Sequence, residues 1–208
     1  MAEKNKPDLK IVQAGEPDDG RKARSQRSRA QIVDALFALV ESGDMDPSAA
    51  RVAEEAGVGL RTVFRHFEDM DGLYREMAER LEAEILPVVM TPWTTETWRE
   101  RVIELIERRA KIYERIMPLK VASSLRRFAS PQLGYAYRRF LVMERAGLKG
   151  ILPASVAEDE ILLGALELLT GFHAWRRLRQ DQELSAHQAK EVLIHSASKL
   201  LKDIDGPD

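Results

Sequence analysis

Apolar residues recur at helical spacing from Ile32 through Val33, Leu36, Phe37 and Val40 until Gly43 stops the pattern. This predicts an amphipathic first helix of about four turns. The next stretch, "GDMDPSAARVAEEAG", offers Asp46 or Ser48 as an N-cap around Pro47 and carries Val52, Ala53 and Ala56 on a short helix ending at Gly57. A third short helix is predicted from about Leu60 to Phe67. The small residues Ala53, Ala56 and Gly57 let two helices cross closely at the turn between them, as a helix-turn-helix requires.

Beyond this point no run of strict apolar–polar alternation supports a sheet. Thr97 with Glu100, Ser155 with Glu158 and Ser185 with Gln188 carry the reciprocal capping signature. Pro87, Pro92, Pro118, Pro131 and Pro153 supply breaks. The predicted helices run roughly over 71–88, 97–116, 119–128, 131–149, 156–179 and 185–203, about nine in all with the first three, giving an all-α fold. The segment "ILLGALELLTGFHAW" is apolar on nearly all sides and must be covered all round. Its place near the chain end predicts a two-fold four-helix interface with the last helix, through Leu162, Leu166, Leu169 and His173 with Val192, Leu193 and Leu200, the alternative being that both are central core helices of a single chain.

Composition narrows the chemistry. The 208 residues carry a formal net charge of -2, so contact with nucleic acid has to be local, and "RKARSQRSR" from Arg21 to Arg29 is a basic patch without acids. Residues 1–20 are expected to form a disordered tail, 21–70 a basic arm with a helix-turn-helix DNA-binding domain, and 71–208 an effector-binding and dimerisation domain. Arg24 and Arg27 of the arm are expected at phosphates. The absence of cysteine excludes disulfides and thiolate metal sites. No apolar run approaches the length of a membrane span, so a cytoplasmic protein without membrane contact is expected. No nucleophile elbow, phosphate loop or metal-ligand constellation is present, which predicts no enzyme, no catalytic residue, no metal and no cofactor.

The order and spacing of "RAQIVDALFALVESG" and "VAEEAGVGLRTVFRHFEDMDGLYREM" resemble the N-terminal helix-turn-helix of TetR-type (TetR/AcrR) transcriptional regulators. A weaker similarity to the family's last two helices follows in "LELLTGFHAWRRLRQD" and "LSAHQAKEVLIHSASKLL". The resemblance implies a homodimeric repressor that binds a palindromic operator in double-stranded DNA and responds to a small-molecule effector. It implies that Gly59, Leu60, Arg61 and Thr62 face bases and nearby phosphates and that Arg29 and Ser48 approach the backbone. Phe64, Arg65 and His66 are further DNA-contact candidates, with Phe64 and Phe67 expected to anchor the third helix to its brace and His66 to pack or lie beside a phosphate. Phe64 stands where the family usually has a tyrosine, and Met70 where a lysine is common. Arg61 has independent support, because a guanidinium can satisfy O6 and N7 of a guanine together.

Trp98, Tyr113, Phe128, Tyr135 and His173 are the candidate lining of an effector pocket, which would suit an apolar or aromatic molecule. The alternative class is a helical dimer that binds a small molecule or protein and has lost operator binding.

Overall fold

The computed structural model describes residues 17–202 and 204, so residues 1–16 of the expected tail lie outside the described residues. The elements are α1 (Pro17–Glu41), α2 (Ala49–Glu55), α3 (Leu60–His66), α4 (Met70–Val89), α5 (Trp98–Arg126), α6 (Pro131–Lys149), α7 (Ala154–Ala157), α8 (Glu160–Thr170), α9 (Phe172–Arg176), a π-helical turn (Arg177–Asp181) and α10 (Ala186–Leu201). There is no strand among the described residues. The basic stretch Arg21–Arg29 is part of α1, continuous with the amphipathic helix read from Ile32 onward.

Helices α1 to α3 form a head. Ile32, Val33, Leu36 and Val40 on α1 are fully enclosed against Val52 of α2 and Val63 of α3. Each such side chain contributes about 1.5–3 kcal/mol relative to exposure. Helix α4 leaves the head and packs on α5 and α6, while α10 lies along α5, which therefore forms the spine of the body. Head and body are tied by ion pairs from α5. Arg115 meets Glu41 at 2.7 Å and Glu84 at 2.6 Å, and Arg126 meets Asp46 at 2.5 Å.

Two sequence expectations fail for local reasons. Pro118 does not end a helix: α5 runs through it for 29 residues, giving up one backbone donor while apolar residues on both sides keep the helix docked. Conversely, the single helix expected over 156–179 is divided. Asp159, not Ser155, caps α8 by accepting from the amides of Ile161 and Leu162, both at 3.0 Å. Helix α8 then stops at Gly171, where an added Cβ would sit 2.8 Å from the carbonyl oxygen of Glu167. Glu114 on α5 pins the π turn that follows, accepting from Trp175 Nε1 at 2.9 Å and from Arg179 Nε at 2.7 Å. The capping boxes at Thr97 and Ser185 form as read.

Candidate nucleic-acid interface

The turn between α2 and α3 is built around Gly57, whose φ of +63° suits glycine. Val58 N–H donates to the Ala53 carbonyl at 2.9 Å, closing the turn over the small residues noted in the sequence. Ser48 caps α2, its hydroxyl accepting from Arg51 N–H at 3.3 Å, and Gly59 starts α3. Helix α3 is held by Val63 and Phe67, both buried. The opposite face carries Leu60, Arg61, Phe64 and Arg65, all exposed, with Thr62 at the margin. Among the described residues neither Arg61 nor Arg65 has an ion-pair partner. Both cations are presented to solvent on the face that a groove would meet.

The remaining candidates divide. Phe64 is 49% exposed while Phe67 is 3% exposed, so of the two expected aromatic anchors Phe67 joins Val63 in the core and Phe64 does not. Arg29 does not point out with the DNA-facing set. Its guanidinium pairs with Glu76 of α4, donates to the His66 carbonyl at 2.5 Å and lies 4.3 Å from the centre of the Phe67 ring. It is a tie between α1, α3 and α4. His66 turns inward as well, with Nε2 enclosed and unpartnered. Burial, then Arg65 and Arg29, pull its pKa below the usual histidine value against Glu76. Arg24 and Arg27 are exposed on the outer turns of α1, their Nε atoms donating back to Gly20 and Ala23 carbonyls at 3.2 and 3.4 Å.

In the body, a cavity of about 80 Å³ lies between α4, α5 and α6. Its walls include Met77, Leu81 and Ile85 of α4, Ile116 and Leu119 of α5 and Phe140 of α6. Lys120, Ser123, Ser124 and Tyr137 add polar groups. None of the five expected ligand residues lines it. Trp98 and Tyr113 are core residues, and Phe128 and Tyr135 are 84% and 65% exposed. The Tyr113 hydroxyl donates to the Glu144 carboxylate beside buried Arg109, which is satisfied by the Thr170 hydroxyl at 2.7 Å and by backbone carbonyls. His173 touches the cavity only indirectly, through Nε2 at 2.7 Å from the Tyr137 hydroxyl. It lines instead a second, open recess of about 470 Å³ between α6 and α8. The sequence does not mark Lys120 as a wall residue, because a break at Pro118 would separate Ile116 from Leu119, Lys120 and Ser123, which all line the cavity from the continuous α5.

The expected dimer surface also needs correction. Leu166 and Leu193 are 0% and 5% exposed and belong to the core of the single chain, and Leu162 and Leu169 are half-buried against it. The exposed apolar residues of α8 are Ile161 and Leu168, at 87% and 74%, with Val192 and Leu200 on α10 at 41% and 38%.

A three-helix head with a helix-turn-helix, carried on an all-helical body, defines the fold of TetR-type regulators. Among solved structures, the chain is similar to a transcriptional regulator from Rhodococcus sp. Rha1, at 20% identity and a TM-score of 0.68 over 86% of this chain and 99% of that one. It is also similar to a provisionally assigned TetR-family regulator from Mesorhizobium loti MAFF303099, at 16% identity and a TM-score of 0.52 over 86% of this chain and 97% of that one. No protein-family model and no curated protein matches the chain in sequence. Among the described residues no cluster of potential metal ligands occurs, and no helix is long and apolar enough to cross a membrane.

Proposed function

We propose that this protein is a transcriptional regulator, a ligand-responsive repressor that binds a palindromic operator as a homodimer. The observation that carries the proposal is the outward face of α3, where Leu60, Arg61, Phe64 and Arg65 stand exposed while Val63 and Phe67 hold the helix to its brace. Such a helix inserts its N-terminal residues into the major groove, with Arg61 reading a guanine and Arg65 reaching phosphate. Gly59 permits close approach of the backbone, and Thr62 and Ser48 flank the groove. Arg24 and Arg27 extend the cationic surface along α1 toward the phosphates. Two copies paired through the exposed faces of α8 and α10 would set two reading helices about one helical turn of DNA apart, some 34–36 Å.

The likeness to the Rhodococcus and Mesorhizobium regulators supports this reading at the level of the fold. Fluorescence anisotropy with duplexes tiled across the DNA flanking the protein's own gene tests it. One duplex should bind at nanomolar protein with two-fold stoichiometry, and binding should fall steeply with salt. Equal, weak affinity for every duplex would leave a helical dimer that has lost operator binding.

A further inference from the structure

We propose that the cavity between α4, α5 and α6 is a binding site for an apolar molecule bearing a single carboxylate, with Lys120 as its counter-charge. Three features of the site carry this. The walls are almost wholly apolar, from Met77 and Leu81 on one side to Ile116 and Phe140 on the other. Lys120 enters that space with no carboxylate partner among the described residues, its Nζ instead lying 3.5 Å from the centre of the Phe140 ring and 5.4 Å from that of Tyr137. The nearby carboxylates are engaged elsewhere: Glu82 pairs with Arg139 at 3.0 Å, and Glu144 accepts from the Tyr113 hydroxyl and from Phe172 N–H at 3.0 Å.

An ammonium held against ring faces in an apolar cleft lacks the hydrogen-bonded anion that usually accompanies a buried charge. Burial pulls the Lys120 pKa down to about 8, opposed by Glu144 and Glu82 and assisted by Arg127. An incoming carboxylate supplies the missing partner. A dianion fits less well, because the Ser123 and Ser124 hydroxyls donate to the backbone carbonyls of Lys120 and Val121, and Glu82 stands on the wall. The volume of about 80 Å³ suits a few carbons or one ring beyond the carboxylate. That occupancy would alter DNA binding, by displacing α4 beneath the head, rests on the regulator reading; capture of the carboxylate does not.

The test titrates DNA-free protein with hexanoate, octanoate and phenylacetate, and with the corresponding neutral amides, by calorimetry. At least one carboxylate should bind saturably and about tenfold more tightly than its amide. In Lys120→Met that preference should vanish while the amide still binds. Raising the pH from 7 to about 9.5 should weaken carboxylate binding to the wild type and leave the variant unchanged. This comparison separates Lys120 from the other groups around it, namely Glu82, Arg127, Tyr137, Glu144 and His173. No saturable binding, equal affinity for acid and amide, or a preference that survives in Lys120→Met would each overturn the proposal. Carboxylate capture by a protein whose DNA affinity is unaffected would leave the site standing and remove the regulatory reading.

Discussion

Arg29 and Arg61 have the same side chain and opposite surroundings, and that difference decides what each can do. Arg29 spends its guanidinium on Glu76, the His66 carbonyl and the Phe67 ring, whereas Arg61 stands on the open face of α3 with no ion-pair partner among the described residues. Arg61→Ala should therefore cost on the order of 1–3 kcal/mol on the preferred operator and relax base preference at one position per half-site. A panel of singly mutated operators checks this, and uniform loss across the panel would reassign Arg61 to phosphate. Lys120 gives a prediction of the opposite sign for stability. Its pKa falls from 10.5 to about 8 on folding, so the folded state binds this proton less readily than the unfolded state. The penalty is full below about pH 8 and disappears as pH rises toward the unfolded value, and it is on the order of 3 kcal/mol. Lys120→Met should accordingly raise the Tm at pH 7, with the gain shrinking near pH 10. Thermal unfolding at both pH values measures it; a lowered Tm at pH 7 would show that the ring contacts outweigh desolvation.

At the scale of elements, α8 has two faces that the sequence does not separate. Leu163 and Leu166 are sealed into the protomer, while Ile161 and Leu168 project from it. Leu168→Glu should leave helicity and monomer folding intact yet yield monomers at micromolar concentration in light scattering. Leu166→Glu should instead bury an unpaired charge and cost several kcal/mol of stability. If Leu168→Glu remains dimeric, the copies pair through another surface. Helix α4 links two sites that the sequence shows only as neighbouring segments: Met70 begins it under the head, and Met77, Leu81 and Ile85 line the cavity further along.

Across the whole molecule, the net charge of -2 forces any DNA contact onto local cationic surface. Helix α1 keeps Arg24 and Arg27 exposed on its outer turns. Changing both to Gln should flatten the dependence of log K on log salt by roughly 0.9 per lost phosphate contact and weaken all sequences alike. An unchanged slope would place this end of α1 away from the duplex. Ligand and operator should also be coupled reciprocally, since binding free energies around a closed cycle must balance. The factor by which a carboxylate weakens operator binding should equal the factor by which operator weakens carboxylate binding, measured on the same preparation.

Short-range sequence patterns specify the local features of this protein. The capping pairs at Thr97 and Ser185, the glycine turn at Gly57 and the apolar rows of α1 are short-range patterns, and a helix or turn needs only neighbours a few residues away to be specified. The all-α class follows from the same periodicity, whereas the outward placement of Arg61 on α3 is implied by the resemblance to TetR-type regulators. Only the tertiary structure decided which side chains face inward where the pattern is ambiguous. Phe64 on α3 and Phe67 just past its end are three residues apart and equally apolar, yet packing encloses one and exposes the other. Glu76, 47 residues along the chain, captured Arg29. The cavity likewise depends on α5 continuing through Pro118, because docking against α4 and α6 outweighs one missing backbone hydrogen bond, and no local rule contains that comparison.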